Sequence, residues 1–271
     1  MPIREVQSGG RRFRYLEAAP EGGSVSRGTL VLIHAFPTSA RIWEPQLVLA
    51  ARGWRVLAPQ LRGFADGGDD PPAASMDDYA GDALALMDAL GVETAVVGGV
   101  SMGGYVTFAM LRHAPERVRG VVLADTRADA DTPAAIEGRD RMLQTIADRG
   151  PAGVAEEMVP RLLGATTRRA QPQIVALVRE LVLANSGAAI AGAVRALMTR
   201  PDSTPLLARI ACPALIVVGD EDVVTPPDVA RQMHRAIPRS ELAVIPHGGH
   251  LSNLEQPAAF NDAVAAFLDR L

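Results

Sequence analysis

The 271 residues contain no lysine; all 27 basic residues are arginine. Without a lysine amine no Schiff base can form, which excludes covalently held pyridoxal phosphate. The same absence removes the lysine of a P-loop and argues against a nucleotide hydrolase. A single cysteine, Cys212, allows no intrachain disulfide; beside Pro213 at the start of an apolar run, it reads as a small buried residue. Aromatic residues make up only 4%, and none lies between Phe108 and Phe260. The formal charge of -4 gives no broad basic face, so no nucleic-acid partner is expected. The opening residues MPIREVQSGGRRFRY hold no apolar run of the kind a secretory signal needs, and the expectation is a cytoplasmic protein. The uncharged stretch Thr94 to Leu111 touches the length of a membrane span, about 18 residues. Its glycines and its strand-turn-helix pattern place it in a buried core instead, so no membrane partner is expected.

What is present is a composition of 48% hydrophobic and 21% charged residues, which suits a soluble globular chain with a sizeable core. Short β-rich runs alternate with amphipathic segments, the pattern of a mainly parallel sheet covered by helices. Strands are predicted at Phe13–Ala18, Thr29–His34, Arg55–Ala58, Ala95–Gly98, Val118–Ala124, Ala214–Gly219 and Glu241–Ile245. Most lack strict alternation, as strands buried on both faces do. Helices are predicted at Ile42–Arg52, Met76–Leu90, Met102–His113, Asp228–Ala236 and Pro257–Arg270. Ser75 reads as the N-cap of the second of these and Gly91 as the residue past its end. From about 128 to 205 the alternation stops and helical patterns follow in series, broken at Gly150-Pro151, Gly164, Pro172 and Gly187. The expectation is an α/β core of residues 1–127 and 206–271, with residues 128–205 inserted as a helical cap.

Four motifs carry chemistry. Gly99-Val100-Ser101-Met102-Gly103 follows a strand and precedes a helix, so Ser101 sits on a sharp turn at the positive end of a helix dipole. That context, more than the string itself, marks Ser101 as a nucleophile rather than part of an ordinary glycine-rich turn. Gly219-Asp220-Glu221-Asp222 follows another strand and offers a carboxylate; Asp222 is preferred, with Asp220, Glu221 and, at a different strand end, Asp125 as rivals. His247-Gly248-Gly249-His250 offers an imidazole on a glycine loop; His250 is preferred over His247. His34-Ala35-Phe36-Pro37, at the end of a strand, presents backbone amides. Phe36 and Met102 are expected to hold a developing oxyanion, each such donor being worth about 2.7–4 kcal/mol of barrier. His34 reads as a structural histidine that bonds this loop.

The strings HAFPTSARIWEPQ, PQLRGF, GGVSMGG, GDEDVVTP and HGGHLSNLEQP occur in the order found in the α/β-hydrolase superfamily, and they span nearly the whole chain. Within it the chain resembles small bacterial carboxylesterases, enol-lactonases and cofactor-free haloperoxidase-type perhydrolases. The resemblance implies an eight-stranded, mainly parallel sheet flanked by helices. It also implies a triad of Ser101, Asp222 and His250, and an oxyanion hole from the amides of Phe36 and Met102. Two departures stand out: Ala35 occupies a place usually held by glycine, and Gln60 one often held by aspartate. A serine at the elbow sets aside the haloalkane dehalogenases and epoxide hydrolases, which use aspartate there.

The expected reaction is cleavage of a carboxylic ester or lactone through an acyl-enzyme, with no metal and no organic cofactor. Perhydrolysis is one alternative; a ligand-binding receptor that turns over slowly is another. If the inserted helices roof the pocket, its walls are aliphatic, from Met142, Met158 and Met198 among others. Trp43 and Phe36 would add aromatic surface from below. Arg127 is a candidate for a substrate carboxylate, although a salt bridge, with Asp125 as its partner, is the preferred reading.

Overall fold

The computed structural model describes residues 2–20, 26–65 and 73–271. Eight strands form one sheet: β1 Arg4–Ser8, β2 Arg11–Ala18, β3 Gly28–Ile33, β4 Trp54–Pro59, β5 Ala95–Val100, β6 Val118–Ala124, β7 Ala214–Gly219 and β8 Ser240–Ile245, in the order β1-β2-β4-β3-β5-β6-β7-β8. The β1–β2 and β2–β4 pairs are antiparallel and all the others parallel. Strands β5 and β7 are buried along their whole length, which is why their sequences run apolar without alternation. Strand β1 was absent from the sequence-predicted strands. Its residues REVQS are mostly exposed on the sheet edge, and an edge strand that buries little leaves almost no hydrophobic pattern to read.

The core helices are α1 Met76–Ala89, α2 Met102–His113, α8 Pro227–Ala236, the single turn α9 Ser252–Glu255 and α10 Pro257–Leu268. Ser75 accepts from the Asp78 amide and the Asp78 carboxylate accepts from Ser75 N–H, a reciprocal cap that fixes where α1 begins. The segment Ala40–Arg52 is a succession of 3₁₀ turns, not the α-helix expected over Ile42–Arg52. Pro45 within it has no N–H to give, so α-type hydrogen bonding cannot run through that position.

Between β6 and β7 the chain forms α3 Pro133–Leu162, α4 Ala165–Ala170, α5 Pro172–Leu183, α6 Gly187–Met198 and α7 Thr204–Leu207. Helix α3 breaks at Gly150 (φ 61°, ψ −158°), and Pro151 starts its second half, as the Gly-Pro pair predicts. Arg200, buried after α6, bonds Asp131 at 2.7 Å and lies over the Tyr105 ring of α2, tying this helical segment to the sheet layer. Among the described residues no single helix is long and apolar enough to cross a membrane. The bent pair α5–α6 passes by length and composition, but Val178, Leu181, Ile190 and Val194 of that pair are buried in the fold. The stretch Thr94 to Leu111 is β5, its turn and α2, as expected.

Candidate active site

The parallel strands deliver their carboxyl ends to one edge of the sheet, where Ile33 pairs with Gly99, Val100 with Ala124, Ala124 with Val217 and Gly219 with Ile245. Every chemical motif of the sequence leaves a strand at this edge. Ligands of open α/β sheets bind in the crevice outside such strand ends.

Ser101 follows β5 directly and has φ 54° and ψ −113°, a conformation costly for a residue with a side chain. The fold compels it. The Ser101 amide donates to Ala124 O at 3.0 Å, and the Ser101 carbonyl accepts from Gly104 N–H at 2.9 Å and from Thr126 Oγ1 at 2.8 Å. A Cβ at Gly99 would lie 2.0 Å from Gly103 C, and one at Gly103 would lie 2.1 Å from Ile33 O. Only glycine allows the turn to close this tightly on α2 and β3. Ser101 is half-buried, and its hydroxyl has no hydrogen-bond partner among the described residues.

Asp222 and His250 meet on the loops that follow β7 and β8. His250 Nδ1 stands 2.9 Å from Asp222 Oδ2, with both residues buried. Asp222 Oδ1 also accepts from the amides of Val224 (2.7 Å) and Thr225 (3.0 Å), and Oδ2 accepts from Thr225 Oγ1 at 2.6 Å. Burial raises the Asp222 pKa, but the facing His250 charge and these hydrogen bonds outweigh it and hold the carboxyl below the usual aspartate range. With Nδ1–H given to Asp222, Nε2 is the basic nitrogen of neutral His250.

The rival assignments have other partners. Asp125 accepts from Gly219 N–H at 2.8 Å and from Ser252 Oγ at 2.5 Å, and among the described residues no hydrogen bond joins it to His250. Glu221 binds Thr166 through N–H (2.7 Å) and Oγ1 (2.5 Å). Asp220 and His247 are exposed. The tip of β6 links the separate loops: Asp125 holds Ser252, two residues past His250, while Thr126 holds the Ser101 carbonyl.

The two residues expected to supply oxyanion amides follow neighbouring strands: Phe36 stands three residues past β3, and Met102 two past β5. Met102 is the first residue of α2, so its N–H has no intrahelical acceptor, and Gly103 packs on the carbonyls of Ile33 and His34 just before Phe36. The Ala35 carbonyl fixes the loop by accepting from Thr38 N–H (3.0 Å), Thr38 Oγ1 (2.7 Å) and His34 Nδ1 (3.0 Å). His34 Nε2 accepts from Leu61 N–H at 3.2 Å, which assigns the proton to Nδ1. Burial pushes the His34 imidazole down to about 4 and keeps it in that neutral form. Ala35 does not adopt a positive φ, so the loop needs no glycine at this position. Gln60, the second departure, donates to Phe64 O at 3.1 Å and accepts from Ala40 N–H at 3.1 Å, bracing the same loop.

Two pocket expectations need revision. Trp43 is 0% exposed and packs 6.0 Å, centre to centre, from Phe260 of α10, so in this conformation it offers no surface to a ligand. Arg127 pairs with Asp129 at 3.0 Å rather than with Asp125, whose acceptors serve Gly219 and Ser252. Met142, Met158 and Met198 are half-buried and pack against the apolar core. Sequence reading also passed over Thr126, Thr225 and Glu255. The last stands in the quoted string HGGHLSNLEQP, and its side chain accepts from Gly164, Gly249 and Leu251.

The model of the alpha/beta hydrolase fold family matches residues 28–257. The structure is similar to that of a thermophilic esterase from Thermogutta terrifontis, with a TM-score of 0.91 and 34% identity over 100% of this chain and 99% of that one. The sequence is 28% identical to 3-oxoadipate enol-lactonase 2 of Acinetobacter baylyi, over 92% of this chain and 91% of the relative. It is 30% identical to a Synechocystis protein named for non-heme chloroperoxidase activity, over 88% of this chain and 90% of the relative.

Proposed function

The chain belongs to the alpha/beta hydrolase fold family, and from that premise we propose that it is a serine hydrolase cleaving a carboxylic ester or lactone of small to medium size. One observation carries this reading: a serine strained to φ 54° at the tip of β5 shares a sheet edge with a buried aspartate–histidine pair 2.9 Å apart. Strain of that kind is maintained where it serves a site. The esterase and enol-lactonase likenesses support the same bond type.

In the proposed reaction Ser101 Oγ attacks the substrate carbonyl carbon as His250 Nε2 takes its proton. Asp222 holds the imidazole in the productive tautomer and stabilises its charged form. The amides of Phe36 and Met102 receive the oxyanion. The tetrahedral species collapses, the carbon–oxygen bond of the ester breaks, and His250 gives its proton to the departing alkoxide. Water then attacks the acyl-enzyme by the same route, releasing the acid and free Ser101. Residues 128–205 serve as a cap above this edge, with residues 1–127 and 206–271 as the core. Because no aromatic residue lies between Phe108 and Phe260, the cap contributes aliphatic walls, with Met142, Met158 and Met198 among them.

A panel of chromogenic esters of rising acyl length, together with lactones, tests this on the wild type and on Ser101→Ala. Hydrolysis abolished in the variant is expected; full hydrolysis without the hydroxyl overturns the assignment. The Synechocystis relative favours a second reading, in which hydrogen peroxide replaces water in the deacylation step and the product is a peracid. Halide oxidation in the presence of peroxide and a short carboxylic acid, without ester turnover, would put that reading first.

A further inference from the structure

His250 sits on a loop whose amides are taken up by carboxylates that the reaction itself does not use. Gly249 N–H donates to Glu255 Oε1 at 2.9 Å, and Leu251 N–H donates to the same oxygen at 3.2 Å. These two amides belong to the residues on either side of His250. The other oxygen, Oε2, accepts from Gly164 N–H at 2.8 Å. Gly164 is the residue that opens α4 in the helices between β6 and β7. Loop and helix touch along their backbones: a Cβ at Gly249 would come within 2.1 Å of Gly164 N. Glu255 is only 1% exposed, and three N–H groups from two separate parts of the chain converge on its carboxylate.

A carboxylate serving only to cap the short turn α9 would need Leu251 N–H and nothing more. Gly249 and Gly164 lie outside that turn. Burying an ionisable group is costly unless donors surround it, and here burial pushes the Glu255 carboxyl up while the Thr167 side chain and the three N–H donors pull it back.

Resting on the reading of His250 as general base, we propose that Glu255 is a positioning residue: its carboxylate aims His250 by gripping the amides on both sides, and keys that loop to the helical insertion through Gly164. Glutamine at this position keeps one acceptor oxygen but turns N–H donors toward either the loop or Gly164, so one grip is lost. Aspartate keeps the charge but is one methylene too short to span both.

The test uses the full chain and a fluorophosphonate probe, whose phosphorus is attacked by an activated serine with loss of fluoride. The labelled fraction counts competent sites, and ester turnover is then expressed per labelled site. A purely structural role would lower the count of sites and leave turnover per site unchanged. In Glu255→Gln the expectation is a near-complete count, a kcat per site about a hundredfold lower and a KM little changed, as misaimed catalytic groups give. Wild-type kcat per labelled site in this variant, whatever the count, overturns the proposal. Should it fail to fold, Glu255→Asp is read by the same measure against the same expectation. A wild type that the probe does not label defeats the serine-hydrolase reading itself, and this proposal with it; that failure shows before any variant is made.

Discussion

Asp125 and Asp222 stand just past the ends of the neighbouring strands β6 and β7, both buried, and are driven in opposite directions. Burial and the nearby Asp222 charge push the Asp125 carboxyl well above the usual aspartate range, against hydrogen bonds from Ser252 and Gly219. For Asp222 burial pushes the same way, but His250 and the Thr225 donors overcome it. Among the described residues no cation is paired with Asp125, and that is the physical difference between the two acids.

The first prediction concerns stability against pH. Folded Asp125 holds its proton more tightly than it does in the unfolded chain. Stability therefore falls as the pH rises from the ordinary aspartate value of about 3.9 through the folded value. Asp222 acts with the opposite sign: its contribution is present above the ordinary value and is lost as the pH falls through its depressed folded value. Urea unfolding of the wild type and Asp125→Asn across the acid and neutral range isolates the first effect. The variant should lose the downward slope that Asp125 imposes; two parallel curves would mean that Asp125 is not held protonated.

A second prediction separates the two acids by activity. Asp222→Asn should lower kcat by about 10⁴, because an amide favours the wrong imidazole tautomer and supplies no charge. Asp125→Asn keeps an oxygen for the Gly219 amide and leaves the Asp222–His250 pair intact, so its effect on kcat should be far smaller. Equal losses in the two variants would return Asp125 to contention as the triad acid.

The central strands β3 to β7 were legible because they are largely buried and their turns carry glycine, proline and capping residues; the predicted ranges of β6 and β7 coincide with the observed ones. Elements without a hydrophobic signature were not, as β1 and the 3₁₀ segment around Pro45 illustrate. At the site, motif position and the family resemblance pointed to Asp222 and His250, which the fold brings to 2.9 Å. Glu255, which holds the His250 loop, was missed because nothing in a linear pattern tells a gripping glutamate from a solvated one. Glu255 reveals itself only when residues 164, 249 and 251 arrive around it. Trp43 failed as a pocket residue for a related reason: its proximity to the HAFP loop in sequence hid its packing against Phe260 in space.

Third, glycines of the same chain should respond oppositely to alanine. A Cβ at Gly103 would sit 2.1 Å from Ile33 O and 2.8 Å from Ile33 C, both backbone atoms that cannot move aside without shifting β3. Gly103→Ala should cost about 3 kcal/mol and most of the activity. At Gly138, within α3, the nearest side-chain atom a new Cβ would meet among the described residues is Arg141 Nη2 at 3.8 Å. Gly138→Ala should therefore stabilise by about 0.5–1 kcal/mol through helix propensity alone. Urea midpoints of the two variants check both signs, and a tolerated alanine at 103 would mean that the turn is looser than described.

Asn185, 2% exposed just past the end of α5, is the second place where the helical insertion holds the site. Its Nδ2 donates to Pro37 O and Leu181 O, each at 2.8 Å, and its Oδ1 accepts from Ala65 N–H at 2.6 Å. Pro37 follows Phe36, so this amide braces the loop whose N–H is assigned to the oxyanion. Leucine at 185 keeps the branching at Cγ but bonds nothing. Leaving Pro37 O and Ala65 N–H bare should cost about 1–3 kcal/mol for each group that water cannot reach. Aspartate is the sharper probe. As a carboxylate it still accepts from Ala65 N–H but turns a negative oxygen toward two carbonyls; once protonated it donates to one of them. Asn185→Asp should accordingly gain stability relative to the wild type as the pH is lowered, because burial and the facing carbonyls raise the pKa of the new acid in the folded state. Thermal midpoints of the two proteins across the acid range give the answer. A difference that stays constant with pH would mean that the side chain at 185 has swung out to solvent and that Pro37 is held by something else.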